Sequence, residues 1–186
     1  SLEQGFGLRH GDRLAILAYN SPEWLIALFG ATSLGGIAVG LNGWWTPAEI
    51  EFGLTDSGSR FLVTDERLYP RVAKLAGRLP QLETIFFIGA HPPRGTVPIS
   101  ELLVERSEMP ENPIAEDDPA VILYTSGTTG RPKGCITTHH GTVSQVIGIV
   151  FAGVSGALLG TGMPMPGAGE QLASLLTSPL FHVAGF

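Results

Sequence analysis

Residues 13–39, RLAILAYNSPEWLIALFGATSLGGIAV, predict a strand, a helix and a second strand in direct succession. The short apolar run Arg13–Ala18 is typical of a buried strand. Ser21 can cap the helix that follows. The apolar face of this helix is expected to consist of Leu25, Ile26, Leu28 and Phe29. A strand at Ile37–Val39 completes the unit, and because two strands joined by one helix pair in parallel, the stretch predicts a βαβ crossover.

The same alternation of strands and helices continues along the rest of the chain. Thr46 and Glu49 have the spacing of a capping box, which predicts a second helix that ends near Gly58. Further strands are expected at 60–64, 84–88, 120–124, 135–138 and 172–177, and further helices at 66–78, 99–104 and 141–159. The helix at 141–159 is apolar on most sides and is therefore expected to be buried. The whole pattern predicts an α/β fold of mainly parallel βαβ units.

Composition divides the chain at residues 111–119, which are rich in proline and acidic side chains. We expect this segment to be a solvated linker. It would separate a sub-lobe at 1–110, built around a βαβ sheet, from a second sub-lobe at 120–186, which carries a glycine-rich loop.

Charged residues are distributed unevenly. Of the 186 residues, 11 are Lys or Arg and 17 are Asp or Glu, for a net charge of −6, and Glu170 is the only charged residue after Lys133. A C-terminal third with so little charge cannot coat a solvated surface, so we expect it to pack inside a larger domain. Lysine occurs only at positions 74 and 133. Because no basic stripe exists, we expect no nucleic-acid partner.

Cysteine usage and hydropathy indicate a reduced, cytoplasmic protein. Cys135 is the only cysteine, which excludes a disulfide framework, and we expect it to be a small buried side chain. The longest apolar stretch, Val146–Leu159, is shorter than the roughly 20 residues that span a bilayer, so no transmembrane segment is expected. The start of the chain does not have the pattern of a signal peptide.

Residues 124–134, Tyr-Thr-Ser-Gly-Thr-Thr-Gly-Arg-Pro-Lys-Gly, hold three glycines and a proline and therefore predict a loop. Glycines let successive backbone N–H groups turn toward one point, which creates a concavity for an anion. Four hydroxyl side chains and Lys133 add further donors, and together they suit a polyphosphate. The spacing matches neither the Walker A nor the dinucleotide-binding pattern. A polar hairpin tip without a ligand is the alternative.

These eleven residues resemble the signature loop of the adenylate-forming superfamily, which includes acyl-CoA synthetases, aryl-CoA ligases, peptide-synthetase adenylation domains and luciferases. Further segments resemble the family in order and spacing: residues 11–13, 20–24, 34–42, 46–54 and 179–185. Residues 40–46 look most like fatty-acyl-CoA synthetases of actinobacterial type. The resemblance implies an incomplete N-terminal part of a layered αβαβα large domain, in which a strand, the loop and a returning strand form a phosphate-binding hairpin.

The resemblance also implies the activity of an acid–thiol ligase that works in two steps. A carboxylic acid, expected to be a fatty acid, attacks ATP to give acyl-AMP, and coenzyme A then accepts the acyl group. Mg²⁺ is the expected metal, and a homo-oligomer is left open. The alternatives are another adenylating enzyme, either an aryl-CoA ligase or a peptide-synthetase adenylation domain, and a non-catalytic nucleotide-binding module.

Site residues follow from the match to the family motif. Those expected to hold the β- and γ-phosphates are Thr125, Ser126, Gly127, Thr128, Thr129, Gly130 and Lys133. Lys133 is also the expected catalytic residue, and Ser126 corresponds to a hydroxyl near Mg²⁺. His182 matches a residue between the adenylate and carboxylate pockets, with a buried core histidine as the alternative.

Other conspicuous residues receive plainer interpretations. His139 and His140 are adjacent, so their side chains point apart and a metal pair is not expected. Trp44 and Trp45 are expected to be a packed surface aromatic pair, with contact to an acyl chain or a membrane as the alternative. The family's metal-linked Glu, ribose-binding Asp and C-terminal Lys are not among these residues. We therefore expect the chain by itself to be inactive.

Overall fold

The computed structural model describes residues 2–75, 77–103, 111–125, 130–161 and 175–182. The elements are, in chain order, α1 (Leu2–Phe6), β1 (Arg13–Leu17), α2 (Pro22–Thr32), β2 (Ile37–Gly40), α3 (Pro47–Ser57), β3 (Phe61–Asp65), α4 (Tyr69–Ala73), β4 (Thr84–Ile88), β5 (Val97–Pro98), a 3₁₀ turn (Ile99–Glu101), β6 (Pro119–Thr125), β7 (Lys133–Thr138) and α5 (His139–Leu158).

The strands form one sheet in the order β5-β4-β3-β1-β2-β6-β7. Each neighbouring pair from β5 to β6 is parallel, and β7 is antiparallel to β6. The predicted α/β fold with mainly parallel βαβ units is therefore confirmed. The carboxyl ends of β1, β2, β3, β4 and β6 meet at one edge of the sheet, where α/β proteins bind their ligands.

Residues on both sides of positions 111–119 belong to this sheet. β6 pairs in parallel with β2, with Ala38 opposite Val121 and Gly40 opposite Leu123. The proposed division into sub-lobes at 1–110 and 120–186 stays a prediction of the sequence.

Two hydrophobic layers cover the two faces of the sheet. Alternate residues of β1 separate between them, because successive side chains of a strand point to opposite faces. Leu14 and Ile16 pack with Trp24 of α2, whereas Ala15 and Leu17 pack with Leu54 of α3. The result is a three-layer α/β/α arrangement around the central strands.

Local chemistry fixes the ends of α2 and α3 as the sequence predicts. The Ser21 hydroxyl accepts a hydrogen bond from the Trp24 amide, at 3.3 Å. Thr46 and Glu49 form both bonds of a capping box. Gly58 ends α3 in the left-handed conformation, with φ 60°, which favours glycine.

The predicted apolar face of α2 is wrong. The buried residues of α2 are Trp24, Ala27, Leu28 and Ala31. Their spacing of three and four positions is that of one helical face. Leu25, Ile26 and Phe29 lie on other faces and are exposed. The mistake arose because α2 is apolar on several sides, so composition alone did not select the inward face.

Three predicted elements differ from the structure. The helix expected at 66–78 is reduced to α4, because Asp65 accepts hydrogen bonds from the amides of Arg67 and Leu68 and holds that stretch in a turn. The helix expected at 99–104 is a 3₁₀ turn over Ile99–Glu101, and residues 104–110 lie outside the described residues. Of the strand expected at 172–177, residues 175–177 are irregular and the remainder lies outside the described residues.

Helix α5 is exposed rather than buried. None of its residues is buried, and Phe151 is 72% exposed. Cys135 is also exposed, because β7 is the last strand of the sheet and the described part of the chain does not cover it. The helix begins at His139 rather than Gly141, and its 20 residues, with mean hydropathy 1.6, are long and apolar enough to cross a bilayer. Length therefore does not exclude a membrane span, although core helices of soluble proteins meet the same criterion.

Candidate active site

The glycine-rich loop is held at its base by a β-hairpin. β6 and β7 pair with Thr125 directly opposite Lys133. The Thr125 hydroxyl donates a hydrogen bond to the Lys133 carbonyl, at 3.4 Å. Gly130 has φ 84°, a conformation that other residues rarely adopt. The structure therefore brings Thr125 and Lys133 together and places both side chains at the surface.

The predicted residues Ser126, Gly127, Thr128 and Thr129 lie outside the described residues. Their assignment to phosphate binding stays a prediction, as does the assignment of Ser126 to Mg²⁺. Among the described residues, no three or more His, Cys, Asp or Glu side chains lie together in a group that could hold a metal ion. Mg²⁺ commonly binds through substrate phosphates and water with only one or two protein oxygens, so such a cluster is not required.

Tyr124, immediately before the loop, joins β6 to helix α3. Its hydroxyl donates a hydrogen bond to the Asp56 carboxylate, at 2.8 Å, and lies 3.3 Å from the Gly53 carbonyl oxygen. Burial, followed by the hydrogen bond to Asp56, raises the pKa of Tyr124 above its ordinary value of 10.0. The hydroxyl therefore stays protonated and continues to donate at neutral pH.

A second segment, residues 178–182, lies over the carboxyl end of β2. Leu180 and Phe181 are buried, at 4% and 5% exposure. A Cβ atom added to Gly40 would lie 2.8 Å from Leu123 and 3.3 Å from the Cα atom of Phe181. Gly40 thus permits the close approach of this segment to β2.

The two tryptophans have separate environments, so the expected packed surface pair is wrong. Trp45 is buried, and its ring contacts the Tyr124 ring edge to face, with centroids 5.3 Å apart. Trp44 is 66% exposed, and its ring contacts Phe181 in the same manner, at 5.4 Å. Arg71 holds the backbone around Trp44 by donating hydrogen bonds to the carbonyl groups of residues 43 and 45.

Asn20, at the carboxyl end of β1, contacts the same segment. Its side-chain amide donates a hydrogen bond to the Ser178 carbonyl, at 2.9 Å, and accepts one from the Leu180 amide, at 2.9 Å. His182 follows in a turn in which its amide donates to the Pro179 carbonyl, at 3.0 Å. His182 is exposed, so the structure places it at the ligand-binding edge of the sheet and not in the core.

His139 and His140 lie at the other end of β7. His140 Nδ1 is 3.4 Å from the Glu116 carboxylate. Asp118 lies 3.0 Å from His10 Nε2. This end is opposite to the loop, so we assign these histidines no part in the candidate active site.

Sequence reasoning missed two contributors to this site. Asn20 directly precedes the Ser21 cap, and no local pattern reveals that its partner Ser178 is 158 positions away. Tyr124 belongs to the quoted loop, but its contact with Asp56 spans 68 positions. A general signal was present for Asn20, since a polar residue after a parallel strand lies at the edge where ligands bind.

Comparisons with known proteins agree with this geometry. The family model described as AMP-binding enzyme matches residues 1–186. Feruloyl-CoA synthase of an Amycolatopsis species is 34% identical over 179 residues, which cover 96% of this chain and 31% of that protein. 4-Coumarate–CoA ligase 2 of Oryza sativa subsp. japonica is 32% identical over 190 residues, which cover 95% of this chain and 32% of that protein.

A solved structure gives the same result for the fold. The crystal structure of a long-chain-fatty-acid CoA ligase from Rhodopseudomonas palustris superposes with a TM-score of 0.70 at 26% identity, over 96% of this chain and 41% of that chain. The chain spans about a third of the length of the curated relatives it matches. With a mostly parallel sheet, a glycine-rich loop at its ligand-binding edge and a family match over its whole length, the chain belongs to the AMP-binding enzyme family.

Proposed function

We propose that this chain is part of an ATP-dependent acyl-CoA synthetase that converts a carboxylic acid to acyl-AMP and transfers the acyl group to coenzyme A. The observation that carries the proposal is the pairing of Thr125 with Lys133 at the base of the loop. The hairpin brings Thr125 and Lys133 together where β6 ends, at the same edge of the sheet as residues 178–182, and this position supports a role in binding a ligand.

The loop would bind the β- and γ-phosphates of ATP. Its members are Thr125, Ser126, Gly127, Thr128, Thr129, Gly130 and Lys133. Backbone N–H groups and hydroxyls suit phosphate oxygens, and Lys133 offsets part of their negative charge. Mg²⁺, held by the substrate phosphates with the Ser126 hydroxyl, would supply additional charge neutralisation.

The first step joins two anions and therefore depends on charge stabilisation. A carboxylate oxygen of the acid attacks the α-phosphorus, the bond to the β-phosphate oxygen breaks, and pyrophosphate leaves. Positive charge beside the leaving pyrophosphate lowers the barrier because charge develops there in the transition state. Lys133 is assigned this catalytic role.

The second step transfers the acyl group to coenzyme A. The thiolate sulfur attacks the carbonyl carbon of acyl-AMP, the carbon–oxygen bond to phosphate breaks, and AMP leaves. His182 is assigned to contact with the substrate between the adenylate and carboxylate pockets. Its exposed position at the sheet edge supports contact with a ligand.

The class of acid is the part of the proposal that most needs a measurement. Residues 40–46 favour a fatty acid, and this is our first choice. The relative named feruloyl-CoA synthase, at 34% identity, favours an aromatic acid as the second candidate. Within the described residues, the exposed face of Trp44 beside Phe181 offers an apolar surface that suits either acid.

The decisive experiment is ATP–pyrophosphate exchange by the full-length protein that carries this sequence. The acids tested would be saturated fatty acids of graded length, ferulate and 4-coumarate. Formation of the coenzyme A thioester would then be measured for each acid. We expect the full-length protein to catalyse ATP–pyrophosphate exchange and thioester formation with one class of acid. We expect no ATP–pyrophosphate exchange from the 186-residue chain by itself. ATP binding without exchange for any acid would instead support a non-catalytic nucleotide-binding module.

A further inference from the structure

We infer that Asn20 is a positioning residue, whose side-chain amide sets the place of residues 178–182 and thereby of His182. The inference rests on the proposed function, because it assigns a task to Asn20 within the same active site. Asn20 lies three residues after β1, far along the sequence from both the loop and the segment that it holds.

The contact is specific because both halves of the amide are used. The Nδ2 group donates to the Ser178 carbonyl and the Oδ1 atom accepts from the Leu180 amide, each at 2.9 Å. One donor and one acceptor on a rigid planar group match one carbonyl and one N–H group two residues apart. Such a pair fixes the register of the segment, which a single bond would leave free to slide.

We call this pair of hydrogen bonds from Asn20 the clamp, and the backbone that carries Asn20 is itself held by the sheet. Leu17, three residues before Asn20, is fully buried. The Tyr19 amide donates a hydrogen bond to the Asp65 carboxylate, at 2.8 Å, and so ties the turn to β3. The Asn20 amide therefore extends from a point that is fixed by β1 and β3.

Apolar contacts set the depth of the segment but not its register. Leu180 and Phe181 are buried against the end of β2, and Trp44 contacts the Phe181 ring. The hydrophobic burial of these side chains is non-directional. The hydrogen bonds of the Asn20 side chain supply the direction. His182 lies only two residues beyond Leu180, whose amide donates a hydrogen bond to Asn20.

Asn20 is exposed, so its hydrogen bonds contribute little to global stability, because water replaces them when they are lost. Their effect on the reaction is expected to be larger. Displacement of a substrate-contacting group by about 1 Å can lower a rate by roughly 10²-fold. A positioning residue is thus distinguished from a merely structural one by a change in kinetics without a matching change in melting temperature.

The test compares Asn20→Ala and Asn20→Asp with Ser21→Ala in the full-length protein. Asn20→Asp keeps the shape and the acceptor but removes the donor to Ser178. Ser21→Ala removes the neighbouring helix cap and leaves the clamp. We expect both Asn20 variants to lose about 10- to 100-fold in kcat/KM for the acid with KM for ATP within about twofold. Ser21→Ala is expected to lower the melting temperature with little kinetic change.

A double-mutant cycle with His182→Ala tests whether Asn20 acts through His182. In the His182→Ala background, Asn20→Ala is expected to cause less than about a threefold further loss, because the group that it places is absent. Fully multiplicative losses would overturn the inference. So would equal kinetic behaviour of Asn20→Ala and Ser21→Ala.

A readout that does not need activity separates this inference from the proposed function. Hydrogen exchange of the peptide that contains residues 178–182 is expected to quicken in Asn20→Ala and not in Ser21→Ala. If the unmodified protein catalyses no ATP–pyrophosphate exchange with any acid of the panel, the proposed function fails. Unchanged hydrogen exchange at Leu180 in Asn20→Ala would then still refute the clamp on its own.

Discussion

The hydroxyl of Tyr124 donates a 2.8 Å hydrogen bond to the carboxylate of Asp56, which joins the end of β6 to helix α3. Tyr124 lies opposite Gly134 in the hairpin, so it is next to the pair formed by Thr125 and Lys133. A Cβ atom on Gly134 would lie 3.5 Å from the Tyr124 ring. The ring and hydroxyl together fix the base from which the loop extends.

Tyr124→Phe should therefore weaken ATP binding as well as the fold. The ring contact with Trp45 stays, while the Asp56 carboxylate loses its donor. We expect a several-fold rise in KM for ATP in the exchange assay and a loss of about 1 kcal/mol in stability, the usual scale for one hydrogen bond. Tyr69→Phe, which keeps its ring contact with Phe87, is the matched control. Equal ATP KM values for the two variants would contradict the assignment.

Lys133→Ala should mainly slow adenylation. Removal of one preorganised donor that stabilises developing charge typically costs about 10²- to 10³-fold in kcat. The measurement is acyl-AMP formation in a single turnover, followed by thioester formation from supplied acyl-AMP, which should change far less. Lys74→Ala is the control, because Lys74 is the only other lysine. Unchanged adenylate formation in Lys133→Ala would refute the catalytic role.

The sequence predicted the parts of this protein whose signals are local. The strand of β1, the Ser21 cap and the Thr46–Glu49 capping box each depend on neighbours within four positions. The parallel pairing followed because a helix joins β1 to β2. The loop between β6 and β7 was recognisable because its glycines, proline and lysine occur together.

The errors occurred where distant residues or uncovered surfaces decide the outcome. The inward face of α2 depends on what the sheet presents to it, and three of its apolar residues are exposed. Asn20 owes its role to Ser178, which no spacing rule connects to it. Cys135 is exposed because β7 is the last strand of the sheet and the described residues do not cover it.

Glu49 gives the first helix turn of α3 a defined pH dependence. Its carboxylate accepts from the Thr46 amide and the Thr46 hydroxyl, each at 2.8 Å. The backbone hydrogen bond from Thr46, followed by that from its side chain, holds the pKa of Glu49 below its ordinary value of 4.5. A lowered pKa in the folded state means that stability from this carboxylate is fully present above 4.5 and is lost as the pH falls through the lowered pKa.

Glu49→Gln should consequently differ most from the unmodified protein near pH 7. Residues 46–52 should be less protected from hydrogen exchange in Glu49→Gln than in the unmodified protein. This difference between the two proteins is expected to shrink as the pH is lowered from 5 to 3. Glu111→Gln, a change of equal charge outside the helix, controls for net charge. A difference that stayed constant across this range would show that the carboxylate charge has no part in the cap.

Helix α5 predicts how the 186-residue chain behaves by itself. None of its residues is buried, Phe151 and Leu158 are 72% and 83% exposed, and Lys133 is the last basic residue before it. An apolar surface of this kind favours association. We expect the chain alone to elute from a size-exclusion column as oligomers or aggregates. Phe151→Glu should reduce their size, because a charge on the apolar surface of α5 opposes contact between copies of the chain.

The matched control for this experiment is Phe29→Glu, on the exposed side of α2, where Phe29 is 64% exposed. If α5 carries the association, Phe151→Glu will shift the elution profile and Phe29→Glu will not. Sedimentation with lipid vesicles distinguishes self-association from membrane binding, since the length and hydropathy of α5 are compatible with either. A monodisperse, cooperatively melting monomer would contradict the expectation and would mean that α5 finds cover within these 186 residues.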